Sequence, residues 1–311
     1  MKKVLLYWSN ICVLHKYEQS HLEKVKEKLL SEGIDLEIQY FGIGYPTRMS
    51  QALLDKEKPL PDLIVSTDLE VFENKEIYGR YCRELYPICN WYSTKKKENY
   101  RSLYVDEKLL PFIAIPMMVY TKDPSYKDIS LEDLLDKHVA FGGINNSGVK
   151  CVYKYIWERF GKEKASDFLS HSQICDMPIQ GMQAVRTNAA NLALIPSIYA
   201  LRADMKNEFA FSLTEGNIVL PSFVAARNSL TETEAKTILN TILSPEFCNY
   251  FVTNGDLISC MDFAEENRFD SISKSTYLYP DNQWFYKVSP AEFYTSYCEI
   301  IPRAKDYSRI I

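Results

Sequence analysis

The chain has 311 residues, 46% hydrophobic and 25% charged, enough for about two domains or one large bilobed fold. Lys and Arg number 36 against 41 Asp and Glu, a net charge of −5, which excludes a broad basic footprint for nucleic acid. No apolar run of about 18 residues is present to span a membrane.

Residues 3–8 form a short apolar run, read as a first strand rather than an export signal, because Ser9 and Asn10 break it at once and no small-residue cleavage pattern follows. The 8 cysteines lack a tight framework and read as buried, reduced thiols. Together these features predict a cytoplasmic protein, the alternative being an exported one whose signal has been removed. Residues 15–31 carry helical spacing, with Leu22, Val25, Leu29 and Leu30 on one face, and Gly33 ends that helix. Residues 35–40 alternate as a strand and complete a β-α-β unit with a right-handed crossover.

A second amphipathic helix is predicted over residues 47–56, with Met49, Ala52 and Leu53 inward, and a buried strand over 63–65. Thr67 and Glu70 have capping-box spacing and would start a helix directly after that strand. Polar loops therefore follow three strands, at Ser9 and Asn10, at residues 44–47 and at residues 66–68. In an open α/β sheet such loops gather at the carboxyl edge, where ligands bind.

Residues 111–120 are a long apolar segment containing Pro116. Proline is awkward in a central strand, so the segment reads as a crossover between lobes. The α/β plan then repeats: a helix capped by Ser130, a strand over 138–141, and a small-residue loop opening a helix over 149–160. A helix over 180–188, a strand over 192–195 and a helix opened by Pro196 and Ser197 follow. Residues 218–225, with Pro221, mirror the first crossover, and helices capped by Thr231 and Ser244 close the body.

The predicted lobes are residues 1–112 plus 224–311 and residues 118–218, with hinges at 112–119 and 218–224. The tail from residue 263 carries Trp284, Phe285, Tyr286, Phe293, Tyr294 and Tyr297, which predicts packing on the body or on a partner, and Ser289 caps a final helix.

The order and spacing of PDLIVSTDLE (61–70), PFIAIPMMVY (111–120), GMQAVR (181–186) with LALIPS (192–197), and SPEF (244–247) with Asn254 and Gly255 resemble the type 2 periplasmic-binding-protein superfamily, the solute-binding proteins of ABC transporters, over residues 3–262. The resemblance implies an α/β fold of two lobes, each a mostly parallel sheet with flanking helices, joined by two hinge crossovers. It also implies capture of a small polar or anionic ligand by hinge closure, and an ABC permease as partner. Unpaired N–H groups at helix starts suit an anion. Where oxyanion binders of the superfamily carry a Gly-Ser-Ser-Gly-like loop, this chain has Gly44, Tyr45, Pro46 and Thr47. Where iron binders use paired tyrosines, only Tyr199 stands near the matching helix.

The candidate ligand-binding residues are Ser9, Asn10, Tyr45, Thr47, Arg48, Ser66 and Thr67 from the first lobe. From the second they are Asn146, Ser147, Gly148, Gln180, Gly181, Met182 and Ser197. Each has a plainer reading as a helix cap, a packing position or surface. Asp68 facing the cleft would argue for a cation or an amine. No Cys-x-x-Cys or His-x-x-x-His occurs, so no metal site is expected, nor any cofactor. No nucleophile–base–acid set stands at recognisable spacing, which leans away from catalysis. The alternative is a cytosolic enzyme or sensor of small-molecule or cofactor metabolism on the same fold.

Overall fold

The computed structural model describes residues 1–42, 44–95, 97–143, 147–281 and 287–302. Strand β1 (Lys2–Ser9) alternates as its sequence predicts: Val4, Leu6 and Trp8 enter one core cluster and Tyr7 another, the period-two consequence of the pleat. Helix α1 (His15–Ser31) buries Leu22, Val25 and Leu29. Strand β2 (Ile34–Phe41) returns parallel to β1. Helix α2 (Met49–Leu54) is shorter than expected, and β3 (Leu63–Ser66) lies parallel to β1 on its other side.

The helix expected from Thr67 does not form as predicted. Helix α3 (Glu70–Glu73) has Leu69 at its N-cap with no side-chain cap, and Asn74 then starts a separate α4 (Lys75–Tyr78), accepting from the Glu76 amide at 2.9 Å. The reason is local. Ser66 Oγ accepts from the Asp68 amide at 2.9 Å and Asp68 Oδ1 from the Glu70 amide at 3.2 Å. Side-chain turns of this kind compete with helix initiation.

Strand β4 (Leu110–Thr121) is buried along its whole length. Beyond it come α5 (Leu131–Leu135), β5 (Val139–Gly142), α6 (Ser147–Phe160), α7 (Lys162–Ser170), β6 (Gln173–Cys175) and α8 (Pro178–Arg186). Next are β7 (Leu192–Pro196), α9 (Ser197–Ala200), β8 (Phe209–Phe211) and the equally buried β9 (Asn217–Ala226). The sheet order is β2-β1-β3-β9-β4-β7-β5-β6. Residues Leu110–Pro116 of β4 pair with β9, whereas Met117–Thr121 pair with β7. Pro116 and Pro221 thus sit inside continuous strands, opposite Val219 and Ala114.

The chain then adds α10 (Glu232–Ile242), α11 (Pro245–Gly255), β10 (Ile258–Ser259), α12 (Asp270–Ser273), β11 (Tyr277–Leu278) and α13 (Pro290–Ile300). Strand β10 pairs with β4, and β11 with β9. Helix α13 packs on α6 and α7. Ser296 Oγ lies 2.8 Å from the Tyr153 hydroxyl, the Phe293 ring 6.1 Å from Trp157, and Glu292 3.3 Å from Lys162. Trp284, Phe285 and Tyr286 lie outside the described residues.

Candidate functional site

Trp8 of β1 pairs with Val65 of β3, so Ser9 and Asn10 leave the sheet beside Ser66 and Thr67. The Asn10 amide donates to the Phe41 carbonyl at 2.9 Å. Its side chain is different: Asn10 is 6% exposed, and among the described residues neither Nδ2 nor Oδ1 has a hydrogen-bond partner. Gly42 closes over it with φ +108°, and a Cβ there would stand 3.1 Å from the Asn10 carbonyl oxygen. Only glycine takes that conformation and approach at low cost.

Glu18 lies beneath this exit. It is fully buried, and its Oε1 accepts from Trp8 Nε1 at 3.2 Å and its Oε2 from the Ile11 amide at 2.8 Å. Burial pushes its carboxyl up from 4.5 to about 7, against the pull of those two donors. A raised carboxyl pKa means the folded protein holds a proton that the unfolded chain releases. Stability from this group is therefore full below pH 4.5 and falls as pH rises to about 7, by about 3 kcal/mol. Sequence reading missed Glu18. The signal was present, since positions 18, 22, 25 and 29 form one helical stripe and all four are buried.

The first lobe meets the second along α6. Ser147 Oγ accepts from the Leu69 amide at 3.3 Å, Lys150 Nζ lies 3.5 Å from Glu70 Oε1, and Lys154 Nζ donates to Glu73 Oε2. Residues 147, 150 and 154 share one helix face, and they meet residues 69, 70 and 73 in order. Both lysine side chains are 2% exposed. Helix α13 covers them, with Lys150 Nζ 5.1 Å from the Tyr294 ring and Lys154 Nζ 4.7 Å from Phe293.

Among the described residues Glu70 Oε2 and Glu73 Oε1 are buried without a hydrogen-bond partner. Burial first, then Glu70, push Asp68 up to about 6, while Lys150, the Glu70 amide and Arg48 pull it back. Burial likewise raises Glu73 despite Lys154. The two lysines were read only as part of a helix, because pairing two distant segments needs the tertiary fold.

Ser66 and Thr67 thus follow β3 next to the end of β1 at Ser9 and Asn10, Ser147 and Gly148 open α6 with Ser147 reaching Leu69, and Arg48 acts on the Asp68 carboxyl. Thr47 is half-buried beside Arg48, whose amide donates to Gln51 Oε1 at 3.2 Å. Asn146 lies outside the described residues. The other candidates have packing or bracing contacts. Tyr45 is exposed, its hydroxyl accepts from Gln19 Nε2 at 2.7 Å, and its ring stacks 6.2 Å from Tyr40. Gln180 Oε1 accepts from the Met177 amide at 2.9 Å.

Gly181 admits close packing: a Cβ there would be 2.9 Å from Ile195 Cγ2. Met182 is core, and the buried Ser197 hydroxyl donates to the Asp256 carbonyl at 2.8 Å. The grooves lined by His138 and His171, and by Lys122 and Asn188, share no residue with this edge. Among the described residues no group of three or more His, Cys, Asp or Glu is arranged to hold a metal ion, and no helix is long and apolar enough to cross a membrane.

Parallel strands β1–β3 and β5–β7 flank the antiparallel pair β9 and β4 in a two-lobed α/β fold. Solved structures show the same architecture. Iron-bound HitA from Pseudomonas aeruginosa is 14% identical, with a TM-score of 0.68 over 96% of this chain and 99% of that one. The fructose-6-phosphate-bound periplasmic binding protein AfuA from Actinobacillus pleuropneumoniae is 14% identical, with a TM-score of 0.59 over 98% and 99%. A periplasmic thiamin binding protein is 13% identical, with a TM-score of 0.62 over 97% of each chain. The chain shares the two-lobed α/β fold of these solved structures. No protein-family model matches the sequence, and no curated protein matches it.

These neighbours overturn the cytoplasmic placement expected from the sequence, because two of them are described as periplasmic. The error came from residues 2–9. They form β1, and a strand at that position carries no information about the chain's destination. The reducing compartment inferred for the cysteines loses its basis with it, although Cys151, Cys248, Cys260 and Cys298 are indeed buried.

Proposed function

We propose that the protein is a solute-binding protein that captures a small polar molecule between its lobes and delivers it to an ABC-type permease. The observation that carries this reading is the Asn10 side-chain amide, buried at the β1 exit with donor and acceptor both unengaged. Buried polar groups are ordinarily hydrogen-bonded, so a group of this kind at a ligand-binding edge is explained by a solute that supplies the partner. Ser9, Arg48, Ser66 and Thr67 would complete the first-lobe half, with Ser147 and Gly148 contributing from the second.

The amides of residues 68–70 already have side-chain acceptors, so side chains rather than a helix start would select the solute. On this reading residues 1–112 with 224–281, and residues 118–218 with helix α13, move about 112–119 and 218–224. The Ser147–Lys150–Lys154 ladder then forms on closure, and ligand contacts from both lobes hold the closed population.

A thermal-shift screen with ferric salts, sugar phosphates, thiamin, oxyanions and amino acids tests this, because a ligand bound only by the native state raises the melting temperature. One class is expected to do so. Asn10→Ala should then weaken calorimetric affinity for that compound about tenfold or more, leaving the melting temperature of the free protein unchanged or slightly higher. Wild-type affinity in Asn10→Ala would remove the assignment.

A further inference from the structure

We propose that Glu18 is the positioning residue of the β1 exit: as a carboxylate it holds Trp8 and Ile11 together and so sets Ser9 and Asn10, and on protonation it releases one of them. The role as a ligand-loop support rests on the cleft reading above, whereas the switch itself does not. Residues 8 and 11 bracket the loop, and one carboxyl group takes a hydrogen bond from each, Trp8 Nε1 at 3.2 Å and the Ile11 amide at 2.8 Å. Each donor engages its own oxygen, Oε1 for the indole and Oε2 for the amide. A protonated carboxyl retains one strong acceptor and presents an O–H in place of the other, so one N–H loses its bond.

The surroundings favour switching. Glu18 is fully buried, and among the described residues no Lys, Arg or His acts on its titration. From β2 the Tyr40 phenol faces it, buried and without a hydrogen-bond partner, and its own ionisation is driven up by burial first, with Glu18 among the weaker contributors. On α1 the histidines one turn away are His15, half-buried, and His21, whose Nε2 donates to the Ile242 carbonyl at 2.9 Å while its ring stacks 4.0 Å from Phe247. From α11 the facing side chain is Phe247, which packs on Trp8 with ring centroids 5.9 Å apart. A carboxyl in this setting takes up its proton near pH 7 rather than 4.5, within the range where small changes in acidity matter.

The test needs no ligand. Nitrogen–proton correlation spectra of the full chain are recorded from pH 5 to pH 9. The Trp8 indole and Ile11 amide resonances are expected to move with one shared midpoint near pH 7, with the Ser9 and Asn10 amides following at the same midpoint. Glu18→Gln should abolish the shared midpoint and Glu18→Asp should restore it, displaced. Trp8 and Ile11 resonances that stay fixed across the range, or that titrate while Ser9 and Asn10 do not move, would overturn the proposal. A failed ligand screen would leave this titration standing, so the two readings fail separately.

Discussion

Glu73→Leu is expected to destabilise the protein by about 3–5 kcal/mol, the cost of leaving one member of a buried ion pair without its counter-charge. Lys154 is 1% exposed and gives its ammonium to Glu73 at the lobe junction. Leu fills the volume but supplies no acceptor. Urea denaturation of the single variant, of Lys154→Met and of the double variant closes a cycle that isolates the pair. The double variant should recover most of the loss, because an apolar pair of similar volume carries no charge to desolvate.

Because the pair bridges the lobes, part of the loss is relieved by their separation, visible in small-angle scattering as a larger radius of gyration for the single variants. A Glu73→Leu protein within about 1 kcal/mol of the wild type, with unchanged scattering, would show that this rung contributes no more than an exposed ion pair.

Gly142→Ala is expected to cost about 3 kcal/mol, at the upper end of ordinary overpacking. Gly142 ends β5 where α8 begins above it. A Cβ there would stand 2.1 Å from Pro178 Cα, 2.6 Å from the Met177 oxygen and 2.7 Å from the Pro178 carbonyl carbon. These are backbone atoms with no rotamer to yield, so the start of α8 must lift from the strand. Gly33→Ala is the control. Its φ is +86° but nothing lies within 4 Å of the added carbon, so it pays only the backbone term of about 1 kcal/mol. Chemical denaturation compares the two, and equal losses would show that the β5–α8 approach is looser than described.

Where the chain's periodicity met a single competing force, the elements were readable in advance. β1, α1, β2 and β3 fall within a residue or two of the hydrophobic pattern, since burial on one face decides both. Pro116 and Pro221 marked the two paired strands in the middle of the sheet order, though as a break in a strand rather than proline inside one. Thr67 failed because Ser66 and Asp68 offered the same backbone amides a nearer acceptor.

The site was legible only in part. Ser9, Asn10, Ser66 and Ser147 follow from strand exits and a helix start. Lys150, Lys154, Glu70 and Glu73 look like ordinary helix charges until the lobes are put together. Glu18 was hidden differently, by the habit of assigning glutamate to the solvent side even when its spacing points inward.

Strand β4 pairs with β9 through its first half and with β7 through its second, and β9 joins β4 to β3; one continuous apolar cluster runs through them from Trp8 and Val65 to Phe141 and Leu194. Neither half can be melted alone without stripping hydrogen bonds and apolar cover from a strand that the other half still uses. Heat should therefore dismantle the molecule in one cooperative step, and a weakness introduced in either half is shared by the whole.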